Sequence, residues 1–66
     1  MPDLFGTKLA PVPLPVQIAC IEREIAMRKR VYPAWVASGR MSQAKTDAEL
    51  LAMRAVLETL QGVRDA

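Results

Sequence analysis

Apolar residues recur at intervals of three and four positions in two long segments of the chain, with a short polar connection between them. This spacing places them along one face of each of two α-helices. We expect helix 1 at about 16–31 and helix 2 at about 43–61, packed antiparallel because the connection is short. The sequence therefore predicts an all-α helical hairpin whose core positions are Ile18, Ile21, Ile25, Leu50, Met53, Leu57 and Leu60.

Three residue types mark the ends of these helices. Pro33 lacks the N–H that would bond the carbonyl four residues earlier, so helix 1 is predicted to kink there or to stop and restart as a short turn over 33–38. Gly39 provides a left-handed exit from that turn, and Ser42 is the predicted N-cap of helix 2. Gly62 is the predicted stop at the end of helix 2.

Residues 1–15 differ in composition from the predicted hairpin domain at 16–63. They contain four of the five prolines and favour an extended arm rather than a helix. Because the arm also carries several apolar side chains, it is expected to pack along the helices or along a partner chain. The alternative is a frayed terminus.

Each predicted helix also carries a second row of apolar or small side chains that one hairpin cannot cover. A chain of 66 residues is near the lower limit for a self-sufficient core, and 52% of its residues are hydrophobic. We therefore expect a homodimer or a higher homo-oligomer; the alternative is a monomer whose arm covers the second face. The predicted interface residues are Cys20, Met27, Val31, Ala48, Leu51 and Ala55, with Cys20 as a buried structural thiol.

The residue composition limits the kinds of catalytic, metal and disulfide sites that the chain could form. The chain has no histidine and a single cysteine, which excludes a His-based catalytic relay, a zinc site and an intramolecular disulfide. Two short helices rarely enclose a catalytic pocket, so an enzyme is not expected, and no catalytic, cofactor-binding or metal-ligating residue is predicted. No apolar run approaches the length of a membrane span, and the start of the chain lacks the pattern of a secretory signal. We expect a cytoplasmic protein without a cofactor.

The net charge is only +2, but residues 23–40 hold five Lys or Arg against one Glu. This basic segment also carries two of the three aromatic residues, a combination typical of surfaces that bind another macromolecule. The predicted partner-binding residues are Arg28, Lys29, Arg30, Tyr32, Trp35 and Arg40. Two alternatives stay open: an ordinary solvated charged face, and a structural role in which the two aromatic side chains cap the hairpin over Met41 and Leu50.

The run from Glu22 to Val36, followed by Gly39, Met41, Ala44, Glu49, Met53 and Leu60, resembles a group of short uncharacterised phage and prophage proteins. The resemblance carries no catalytic motif. It implies a small accessory protein that binds and modulates or inhibits a host protein, such as a regulator or a defence complex, by steric occlusion. A nucleic-acid-binding accessory factor that uses the basic bend, and a structural module of a larger phage assembly, are the alternatives.

Overall fold

The computed structural model describes residues 11–66, which form two α-helices joined by a short connection. Helix α1 spans Leu14–Ala37 and helix α2 spans Gln43–Asp65. The two helices pack against each other, and the predicted all-α hairpin is confirmed in this part of the chain. Residues 1–10, which make up most of the predicted arm, lie outside the described residues.

Helix α1 begins two residues earlier than the sequence predicted, so Leu14 and Pro15 belong to the helix and not to the arm. Pro13 is the N-cap residue in an extended conformation, and its carbonyl accepts hydrogen bonds from the N–H groups of Val16 (3.0 Å) and Gln17 (3.1 Å). Proline is tolerated in the first turn because the N–H groups there have no partner within the helix. The Pro15 ring therefore removes no helical hydrogen bond.

Helix α1 continues through Pro33 to Ala37, so the prediction of a separate turn over 33–38 is wrong. A proline inside a helix costs about 3 kcal/mol. Packing offsets this cost, since the neighbouring Tyr32 is buried against the rest of the hairpin and Trp35 and Val36 are half-buried. A bend of the axis at Pro33 stays a prediction.

The predicted signals at Gly39 and Ser42 are confirmed, whereas Gly62 does not end α2. Gly39 has φ +78°, and the Ser42 hydroxyl accepts the N–H of Lys45 at 3.1 Å as an N-cap. Helix α2 runs on through Gly62 to Asp65. The basic side chain of Arg64 in its last turn is favourable beside the negative end of the helix dipole.

The buried contact between the helices is narrow. On α1, the buried apolar side chains are Ile18, Ile25 and Tyr32, which lie at seven-residue intervals along one line of the helix. On α2, Thr46 is the buried residue, and the rest of the facing row is half-buried: Leu50, Met53, Leu57 and Leu60. Ile21 on α1 is half-buried as well. A single hairpin thus shields one row of each helix.

Candidate functional site

The end of α1 beside the connection is closed by a set of backbone hydrogen bonds. The N–H of Arg40 bonds the carbonyl of Trp35 at 2.8 Å, and the N–H of Gly39 bonds the carbonyl of Val36 at 3.1 Å. These two bonds and the left-handed Gly39 define a Schellman motif. The Trp35 carbonyl also accepts the N–H of Met41 at 3.3 Å and the hydroxyl of Ser38 at 3.2 Å. The backbone around Trp35 and Arg40 is therefore firmly positioned.

The same motif places the Arg40 side chain over the Trp35 ring. The Arg40 guanidinium carbon lies 5.5 Å from the ring centroid, within the range of a cation–π interaction. A Schellman motif often has an apolar contact between these two positions, and here the stacked guanidinium takes that place. The Trp35 ring in turn lies 5.6 Å from the Tyr32 ring, at an interplanar angle of 43°. We call Tyr32, Trp35, Arg40 and Met41 the closed-end cluster.

The members of the closed-end cluster differ in exposure. Arg40 is exposed, whereas Trp35 and Met41 are half-buried, and the three together line a shallow pocket. Tyr32 is only 7% exposed in the single hairpin, and its predicted contact with a partner stays a prediction. The burial of its ring favours the structural alternative for this one aromatic residue.

The three consecutive basic residues of α1 do not form one surface. Arg28 is half-buried, and its Nη1 donates to Glu24 Oε1 at 2.7 Å and to the Glu24 carbonyl at 3.3 Å. The bond to Glu24 holds the pKa of the Arg28 guanidinium above its ordinary value. Lys29 lines a cleft between the helices, and Arg30 lies on another surface beside Arg23 and Met27. Successive helical positions are 100° apart, which separates the three side chains.

The predicted oligomer-interface residues are mostly accessible in the single chain. Leu51 is 68% exposed, and the side chain of Val31 is half-buried. Cys20 is exposed in the single chain, so its predicted burial depends on the predicted oligomer and stays a prediction. The second apolar row to which it belongs points away from the core row of α1. The remaining members of the predicted set are also exposed: Met27, Ala48 and Ala55.

Sequence reasoning missed Thr46, which is the most deeply buried side chain at 2% exposure. Its hydroxyl donates to the Gln43 carbonyl at 2.9 Å, so the polar atom is satisfied within its own helix. The signal was available, because Thr46 lies four residues before Leu50 and continues the core row of α2 toward the connection. A threonine at the start of a helix is easily interpreted as a surface residue.

An apolar groove lies at the opposite end of the hairpin from the connection. Val16, Cys20 and Ile21 line it from α1, and Val56 and Leu60 line it from α2. Its volume is about 690 Å³. The groove joins Cys20 of the predicted interface to the predicted core positions Ile21 and Leu60.

Within residues 11–66, no group of three or more Cys, His, Asp or Glu side chains is placed to hold a metal ion. No helix in the same range is long and apolar enough to cross a membrane. Comparisons with protein families, with curated proteins and with solved structures found no match for this chain.

Proposed function

We propose that this chain is a small, non-enzymatic, phage-encoded interaction protein that binds a host protein in the cytoplasm and modulates or inhibits it by steric occlusion. The proposal includes a homo-oligomeric hairpin that presents its closed end to the target. The phage context rests on the sequence resemblance. The binding surface rests on the stacking of exposed Arg40 over Trp35.

Two properties of this pair support protein recognition. Arg and Trp are among the residue types enriched at the energetic centres of protein interfaces. The Schellman motif also fixes the backbone from which both side chains project. A side chain held in place before binding loses less conformational entropy on association, which favours affinity. Arg40 and Trp35 therefore have the chemistry and the rigidity of a binding anchor.

The test compares Arg40→Ala, at an exposed position of the connection, with a matched control, Arg54→Ala, at an exposed position of α2. Each immobilised variant is incubated with host lysate, and bound proteins are identified by mass spectrometry. A protein retained by the unchanged chain and by Arg54→Ala, but lost with Arg40→Ala, supports the proposal. For the purified pair we expect a loss of about 30-fold in affinity, the effect of a hot spot worth about 2 kcal/mol. Equal retention by all three forms would refute the closed-end assignment.

Nucleic-acid binding is the second candidate, and one observation favours it. Arg23 and Arg30, seven residues apart, border the same exposed surface of α1. A dimer would present two such pairs to a phosphate backbone. Its signature is a steep fall in affinity with salt, measured by fluorescence anisotropy with a labelled DNA duplex and a labelled RNA. Phosphate contacts are strongest at low salt, where they are least screened. The absence of binding at about 20 mM salt would therefore remove this candidate.

A further inference from the structure

The apolar groove at the open end of the hairpin is a surface feature that the proposed closed-end site does not use. The open-end groove is defined by its apolar lining and has Gln17 and Arg23 as polar borders; the apolar residues are Val12, Val16, Cys20, Ile21, Val56 and Leu60. Val16 is 54% exposed and Val56 is 45% exposed. Large apolar side chains from both helices thus meet in one concave surface, which is the kind of surface that a partner covers.

The face that continues from the groove toward the closed end carries charges that neutralise each other. On α1, Glu24 and Arg28 follow Ile21 at helical spacing, and their side chains form an ion pair at 2.7 Å. On α2, Glu49 lies seven residues before Val56 and pairs with Lys45 at 3.1 Å. Along this face each helix contributes one acid and one base that are paired within that helix, and Arg23 is a further base at the border of the groove.

This charge balance indicates what kind of partner fits. In a two-fold dimer, the same surface patch of each chain faces its own copy, so a patch with net charge would repel itself. Because the charges along this face are paired internally and Arg23 lies at the border of the groove, the patch carries little net charge and is compatible with its own copy. A binding surface for a strongly acidic or basic protein would instead carry the opposite net charge.

The small core of the single hairpin also favours a second copy of the chain as the partner. In residues 11–66, three apolar side chains are buried, all of them on α1. A hairpin with so little buried apolar surface needs another element to stabilise it, and two hairpins packed together form a four-helix bundle. We infer that a second copy of this chain covers the open-end groove, with Val16 and Val56 at the centre of the subunit interface. The inference rests on the oligomeric part of the proposed function and identifies the surface that it uses.

The first test measures mass and thiol protection together. Analytical ultracentrifugation over a dilution series should give a dimer at high concentration, with a melting temperature that rises with concentration. Cys20 is exposed in the single chain, so the dimer should react with N-ethylmaleimide more slowly than the diluted monomer. A monomer at all concentrations would overturn the inference. A monomer with a protected Cys20 would overturn it too, and would assign the groove to residues 1–10.

The second test uses a matched pair of charge substitutions. Val56→Glu changes an accessible side chain of the single hairpin but would bury an unpaired carboxylate in the dimer, so we expect its dissociation constant to rise by at least about 30-fold. Leu51→Glu, at a more exposed position outside the groove, should leave the mass unchanged. The reverse result would overturn the inference and place the interface on the predicted residues Ala48, Leu51 and Ala55 of α2.

The outcomes also separate this inference from the closed-end site. If Val56→Glu fails to fold, the inference is tested by the concentration dependence of the melting temperature and by the rate of Cys20 labelling, both measured on the unchanged chain. A dimer that captures no protein would remove the closed-end proposal and leave the interface intact. A monomer that captures a protein only when Arg40 is present would support the closed-end proposal and remove the proposed interface.

Discussion

Replacing the two described glycines by alanine should change stability in opposite directions. Gly39 has φ +78°, and a Cβ built on it meets no atom within 4 Å. The cost of Gly39→Ala is therefore the backbone cost of the left-handed conformation, about 1 kcal/mol or somewhat more. Gly62 lies inside α2, and its Cβ would also be in open space. Alanine removes the helix penalty of glycine there, a gain of about 0.5 kcal/mol so close to the helix end.

Thermal unfolding followed by far-ultraviolet circular dichroism, which reports helix content, measures both changes in stability. For a domain of this size, 1 kcal/mol shifts the melting temperature by about 4–8 °C. We expect Gly39→Ala to melt about 4–8 °C lower and Gly62→Ala about 2–4 °C higher than the unchanged chain. All three must be compared at one protein concentration, because association raises the apparent stability.

Whether Gly62→Ala raises or lowers the melting temperature decides between two structures of the α2 terminus. If Gly62→Ala lowers the melting temperature as much as Gly39→Ala, then Gly62 is a left-handed stop and α2 ends where the sequence predicted. If Gly39→Ala has no effect, the connection does not depend on the Schellman motif. The first result would contradict the helical conformation at Gly62, and the second would contradict the cap geometry from which the position of Arg40 follows.

Two further predictions concern helix ends. Ser42→Ala should lower the free energy of unfolding in urea by about 1 kcal/mol through loss of the N-cap, whereas Ser42→Asp should retain most of it; equal losses would rule out a capping role. The hydrogen bond from Arg64 lowers the pKa of the Asp65 carboxyl, so Arg64→Ala should raise that pKa in an NMR titration, and an unchanged value would contradict the pairing. Because the folded-state pKa is lowered, the contribution of Asp65 to stability is complete above its unfolded pKa and is lost as the pH falls through the folded one.

The sequence contained enough information to predict the two helices, the cap at Ser42 and the left-handed Gly39, because these depend on local spacing and on single residue types. It failed at Pro33 and Gly62, where residues that usually end helices lie inside them. Local propensity is a weak preference that packing overrides. At Pro33 the packing is visible in the burial of Tyr32, a contact between helices that no local rule contains.

The candidate site was predictable in composition but not in arrangement. Tyr32 satisfied two rules at once, since its spacing placed it in the core row and its aromatic type placed it among the binding residues. Only the distance between the helices decides which rule applies, and the structure buries it. Arg28, Lys29 and Arg30 are adjacent in sequence but lie on separate surfaces, and their role in partner binding stays a prediction. Charge density along a sequence therefore overstates charge density on a helix.

At the closed end, stability and proposed recognition depend on the same residues, yet Arg40 allows them to be separated. Its backbone N–H closes the Schellman motif, whereas its guanidinium stacks on Trp35 from the solvent side. Alanine at position 40 keeps the N–H and removes the guanidinium. A change at Trp35 would also disturb the ring contact with buried Tyr32, so loss of binding there would not distinguish recognition from folding. The Arg40 side chain is thus the one member of the closed-end cluster whose removal tests binding with the least effect on the hairpin.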